Sequence, residues 1–182
     1  MKGYPARVLA FLAATALLAS SAAAQDPAAA VPPADPEDVA TPDAIIAALY
    51  DVISGPAGAA RDWDRMRSLF VPGARLIPTG VRPDGTRAHR IMSVEDYIRT
   101  SGPVLERDGF FETETHRVTE RFGNILHAFS TYDSRRNADD AEPFMRGINS
   151  IQLFHDGARW WVVTVFWDSE RPDNPIPANY LP

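Results

Sequence analysis

The sequence predicts an α+β domain, with three helices packed on an antiparallel sheet that the second half of the chain supplies. Three observations carry this. Apolar residues between positions 41 and 105 recur at helical spacing behind capping residues. Between 110 and 167 the pattern changes to long runs of β-branched and aromatic residues. Two turn signals, Gly123-Asn124 and Asp156-Gly157, each separate a pair of those runs, which is the pattern of a β-hairpin.

The chain opens with Lys2 and Arg7 before an apolar run from Val8 to Leu18, and Ala22-Ala23-Ala24 follows. This is the pattern of a secretory signal peptide over residues 1–24, cleaved after Ala24, and it implies a periplasmic or secreted product. The run is too short for a membrane span. Removal of Lys2 and Arg7 leaves 16 basic against 24 acidic residues, a formal charge of −8 in place of −6. An acidic product argues against nucleic acid as a partner, because that binding is driven by phosphate neutralisation. No cysteine is present, so the fold relies on its core rather than on disulfides. Residues 25–40 are Ala, Pro, Asp and Glu almost throughout and read as a disordered linker.

Thr41-Pro42-Asp43 starts the first helix, with Thr as N-cap and Pro at its first position. Ile45, Ile46, Leu49, Tyr50 and Ile53 make its apolar stripe, and Gly55-Pro56 ends it. Asp62 caps a second helix with Trp63, Met66, Leu69 and Phe70 inward. A short strand is expected over Ala74–Pro78, then a loop or irregular hairpin to Arg90. Ser93 with Asp96 forms a capping-box start to a third helix, which Gly102-Pro103 is expected to kink or split.

Two hairpins complete the domain. With Gly123-Asn124 as the turn, Phe122 opposes Ile125, and Glu120/His127, Val118/Phe129, His116/Thr131 and Glu114/Asp133 follow on one face. That face has the larger apolar pairs and is assigned to the concave side. With Asp156-Gly157 as a two-residue turn, Gln152 opposes Trp161 and Leu153 opposes Trp160. Trp160 and Trp161, being adjacent, point to opposite faces. A proline-rich tail follows Ser169.

The segments Asp62-Trp63-Asp64-Arg65-Met66-Arg67-Ser68-Leu69-Phe70 and Arg121-Phe122-Gly123-Asn124-Ile125 carry a resemblance to a known family, together with the Ile148–Trp167 hairpin and the tail Ser169–Pro177. Together they resemble the SnoaL-like bacterial branch of the nuclear transport factor 2-like superfamily, over residues 41–177, with 178–182 as the end of the tail. The resemblance implies a curved sheet around a long helix, a conical pocket, and a homodimer formed through the other face of the sheet. It also implies a range of activities: isomerases, dehydratases, epoxide hydrolases and polyketide cyclases share the fold.

On this frame the expected function is binding of a small apolar or aromatic molecule in the cone by Phe129, Thr131, Tyr97, Trp167 and Gln152. The alternative is a cofactor-free isomerase, dehydratase or cyclase in which His116, with Glu114 or Asp133, transfers a proton. No cofactor and no metal are expected, since no closely spaced His pair exists. Arg75, Arg82, Arg87, His89 and Arg90 form a basic cluster that reads as a solvated loop pairing with surface acids; the alternative is a clamp for a carboxylate or phosphate at the mouth of the cone. A carboxylate deep in the cone, within reach of His116 or a tyrosine, would favour the enzyme.

Overall fold

The computed structural model describes residues 31–182. The signal peptide and the start of the linker lie outside the described residues. Four helices, α1 (Pro36–Val39), α2 (Pro42–Ile53), α3 (Trp63–Leu69) and α4 (Val94–Asp108), pack on a curved, unclosed sheet of six strands. The strands are β1 (Phe70–Val81), β2 (Arg87–His89), β3 (Phe111–Phe122), β4 (Ile125–Arg135), β5 (Met145–His155) and β6 (Trp160–Ser169), in the spatial order β2-β1-β6-β5-β4-β3. The sheet is mixed rather than antiparallel, because β1 runs parallel to β6. Among the described residues no helix is long and apolar enough to cross a membrane.

The caps form where the sequence places them. Thr41 Oγ1 accepts from the Ala44 amide at 3.0 Å, Asp62 caps α3 through the Arg65 amide at 2.8 Å, and Ser93 and Asp96 close a full capping box on α4. Three details differ. Residues 36–39, read as linker, form α1: Asp35 caps it, Val39 is buried in the core, and Asp38 pairs with Arg65 at 2.7 Å. The expected short strand over 74–78 extends to twelve residues, and the loop after it closes as the β1–β2 hairpin. Helix α4 passes through Gly102-Pro103 unsplit. Gly102 is buried there against the Trp63 ring, so the small residue serves helix contact.

The first hairpin keeps its expected register from Phe122/Ile125 through His116/Thr131. The second does not. Asp156 Oδ1 accepts from the amides of both Ala158 and Arg159, the turn widens to four residues, and His155 opposes Trp160. A further register shift after Leu153 puts Gln152 opposite Thr164 instead of Trp161.

The core lies between the helices and the inner face of the sheet. Ile45, Ile46 and Leu49 of α2, with Met66 and Leu69 of α3, are buried with Leu126, Ala128, Tyr132, Ile151, Leu153 and Val162 of the sheet. The helices therefore cover the face bearing Leu126, Ala128, Ser130 and Tyr132. The face of Phe129 and His116, assigned above to the concave side, is the outer one. Small side chains at Ala128 and Ser130 let α2 approach closely; bulk alone was a misleading guide.

Arg61 holds the open ends of the helices. It is 8% exposed and donates to the carbonyls of Ile53, Gly55, Pro56, Ala59 and Leu105. The carbonyls of Ile53 and Leu105 belong to the final turns of α2 and α4, which lack helical partners and carry partial negative charge. One guanidinium thus ties together the two helices that frame the cavity.

Candidate active site in the cone

A β-bulge decides what reaches the inside of the sheet. On β3, His116 opposes Thr131 and Glu114 opposes Tyr132, so Thr115 is an extra residue in the ladder. Upstream of it the alternation flips. Glu114 and Glu112 turn to the inner face, and Glu112 lies opposite Ser134.

Glu112 is the centre of the arrangement. Ser134 Oγ donates to one carboxyl oxygen at 3.0 Å and Asn149 Nδ2 to the other at 3.3 Å. The same Asn149 amide donates to the Tyr50 hydroxyl at 3.1 Å, and Tyr50 meets Ser130 Oγ at 2.7 Å. Ser130 in turn donates to Glu114, which Arg117 grips at 2.6 and 2.8 Å. Arg117 also reaches Asp43 at 2.5 Å. The network runs from the cavity wall to the edge of the sheet, but its only cation sits at the outer end. Among the described residues no basic group lies within ion-pair distance of Glu112. Burial therefore raises its carboxyl to about 7, against the opposing pull of the Ser134 and Asn149 hydrogen bonds.

The cavity that Glu112 lines has a volume of about 320 Å³. Glu112 is half-buried. Val104 and Tyr97 of α4 form one wall, Tyr50 and Ile53 of α2 another, and Tyr132, Asn149 and Trp167 the sheet side. Tyr97 meets Trp167 edge-on, with ring centroids 6.5 Å apart. The Tyr97 hydroxyl makes no hydrogen bond to any described residue and so is free for a guest. Burial and the Glu112 carboxylate hold the Tyr97 and Tyr50 phenols above their ordinary range, and burial takes Tyr132 to about 12. All three remain protonated donors near neutral pH. Gly147 makes room for Tyr132: a Cβ there would overlap the Tyr132 hydroxyl and the Asp168 carbonyl.

The sequence matches no family model and no curated protein. Its fold does recur among solved structures. A protein of unknown function with a cystatin-like fold from Nostoc punctiforme is 10% identical, covering 70% of this chain and 87% of its own, with a TM-score of 0.52. A protein from Thiobacillus denitrificans, provisionally described as a calcium/calmodulin-dependent protein kinase type II association domain, is 14% identical over 72% of this chain and 96% of its own, at 0.51. An NTF-2-like protein of unknown function from Silicibacter pomeroyi is 16% identical over 72% and 94%, at 0.48. The chain shares the cystatin-like fold of the first of these. Identities at this level establish the fold alone, and the chemistry has to be argued from the site.

Of the residues expected to line the cone, Tyr97 and Trp167 do so. The others do not. Glu114 turns inward but is occupied by Arg117 and Ser130 and does not line the cavity. His116 stays on the outer side of the bulge, in a shallow edge groove with Asp43 and Thr119. The expected Glu114–Asp133 pairing is lost with the register, and Asp133 is held by Arg146 at 3.0 Å and Arg135 at 3.1 Å. Phe129, Thr131 and Gln152 lie on the outer face, where Gln152 is exposed and Thr131 is covered by the tail. The basic cluster lies along the β1–β2 hairpin and just past it, and none of it lines the cone; Arg87 and His89 line a cleft on the outer side. No group of metal-ligating side chains is found among the described residues.

Glu112 is the residue that sequence reasoning missed. The polar alternation Ser130, Tyr132, Ser134 in β4 lies on the helix-covered face, but only the bulge brings Glu112 opposite Ser134. The bulge that turns Glu112 and Glu114 onto that face has no marker in the Thr113–Arg117 segment.

Proposed function

We propose that this protein is a cofactor-free enzyme that moves a proton on a small, largely apolar substrate held in the cone. Glu112 is the base, and Tyr97 donates to a substrate oxygen. The observation that carries this is a half-buried carboxyl with no cation within ion-pair distance among the described residues, raised to about 7, on the wall of a cavity that Tyr97 also lines. A base whose pKa lies near the working pH is both available and strong enough to act. Glu112 would take a proton from carbon next to a carbonyl. Charge would pass to the oxygen, where the Tyr97 phenol meets it. Return of the proton to another carbon completes an isomerisation; loss of a β-hydroxyl as water instead completes a dehydration. The cavity volume of about 320 Å³ suits a guest at the small end of the usual range for ligand sites.

Simple binding uses the same cavity but needs no base. The test is deuterium exchange at carbons next to the carbonyl in a panel of cyclic and aromatic ketones, followed by NMR. Exchange by the wild type and none by Glu112→Gln, with retained binding, supports the enzyme. Binding without exchange in the wild type supports the carrier.

The leader pattern supports export, with a mature N-terminus at Gln25, and the quoted segments support the SnoaL-like branch. A homodimer through the outer face is supported by Phe122 and Ile125, which are 85% and 60% exposed beside the β3–β4 turn.

A further inference from the structure

The outer face of the sheet is divided by the chain's own tail. Residues 171–180 return across it as a strap. Ile176 is buried and its amide donates to Glu170 at 3.0 Å. At the far end the Tyr180 carbonyl accepts from Thr131 Oγ1 at 2.6 Å, and the Tyr180 ring meets Phe129 edge-on at 4.9 Å. Between this strap and β2 lies a cleft of about 700 Å³, more than twice the volume of the cone at about 320 Å³. Phe129, Ile148 and Phe166 line it from the sheet, and Phe166 is 45% exposed there.

The charges around the cleft are unequal in how they are satisfied. Asp168 is held by Arg171 at 2.6 and 3.0 Å. Glu170 accepts from the Ile176 amide and lies 3.4 Å from Arg146, and Asp173 stands 3.7 Å from Arg171. On the opposite rim Arg87 and His89 have no carboxylate within ion-pair distance among the described residues, nor do Arg82 and Arg90 on the same hairpin. Asp168 and Glu170 are therefore paired, Asp173 shares Arg171 with Asp168 and faces solvent, the β2 rim keeps its arginine unpaired, and the floor is apolar.

We propose that this cleft is a second binding site, separate from the cone, for an amphipathic carboxylate. The ligand's acyl or aromatic body lies on Phe129, Ile148 and Phe166, and its carboxylate meets Arg87 and His89. An anion answers the uncompensated rim; a neutral or cationic head of the same shape does not.

Calorimetry on the full mature chain tests this, with decanoate as probe and decanol and decyltrimethylammonium as its neutral and cationic counterparts. Decanoate binds, decanol binds at least about tenfold more weakly, and the cation does not bind. Arg87→Gln, which removes a side chain with no ion-pair partner among the described residues, weakens decanoate about tenfold. Phe166→Asp abolishes binding, with circular dichroism checking its fold, and Val104→Trp, which fills the mouth of the cone, leaves it unchanged. The proposal is overturned if decanoate fails to bind, if Arg87→Gln leaves its affinity unchanged, or if Val104→Trp rather than Phe166→Asp removes it. It is equally overturned if sedimentation shows a dimer that Phe166→Asp converts to monomer, since a second copy would then fill the cleft.

Discussion

The two faces of this sheet treat carboxylates differently. On the outer side Asp133 and Asp168 each sit on arginine, with Arg146, Arg135 and Arg171 as partners. On the inner side, among the described residues, Glu112 meets only neutral donors, Ser134 and Asn149. The consequence shows in their protonation. Arg171 draws the Asp168 carboxyl below its ordinary value, while burial pushes Glu112 up to about 7. An ion-paired carboxylate is fixed in its charged form and can fasten strands together. A buried one without a cation is poised between two forms and can exchange a proton. Glu114, two residues from Glu112 on the same strand, shows how local the difference is, because Arg117 reaches it and not Glu112.

The largest expected effect comes from removing the poised carboxyl. Glu112→Gln should lower proton exchange by about 10²–10⁴-fold, while the cavity keeps its shape. It should also change how stability depends on pH. The folded protein holds a proton on Glu112 up to about 7, whereas the ordinary value is 4.5, so the native state binds more protons in that window. Stability is then fully present below the ordinary value and falls as pH rises through about 7, by at most about 3 kcal/mol. Urea midpoints across this range should decline in the wild type and lose that part of their slope in Glu112→Gln.

Arg61→Ala should cost a comparable amount by another route, about 3 kcal/mol or more, because it leaves buried carbonyls of two helix ends without a donor. The loss should be present at every pH, which separates it from the Glu112 effect.

A smaller change should sharpen the comparison. Asn149→Ala removes a hydrogen bond that lowers the Glu112 pKa, so the midpoint of the pH–rate profile should move upward. On the outer face Asp133→Asn should cost only about 1 kcal/mol and leave the exchange profile unmoved. A shifted profile in Asp133→Asn would mean that the two faces are not independent.

Much of the fold was legible in the sequence because its signals are local. Thr41, Asp62 and the Ser93/Asp96 box each announce a helix start within four residues, and Gly123-Asn124 sets the first hairpin. The site was less so, because it depends on parity along a strand. One unpaired residue, Thr115, reverses which side Glu112 and Glu114 face, and nothing in its type marks it. The second hairpin failed in the same way, since Asp156 folded two further residues into the turn. Tyr97 and Trp167 were found because a helix stripe and a strand end tolerate such slips. The parallel pairing of β1 with β6 joins segments about ninety residues apart, from Phe70↔Val162 to Pro78↔Trp167, and no local signal encodes it.

The account rests on Glu112, and its carboxyl can be watched directly. NMR titration of the ¹³C-labelled glutamate carboxyls, with the Glu112 signal assigned by its loss in Glu112→Gln, should show one glutamate with a midpoint near 7. A midpoint at the ordinary value of 4.5 would mean that Glu112 is charged and solvated in the cone, and would contradict its role as the proton carrier.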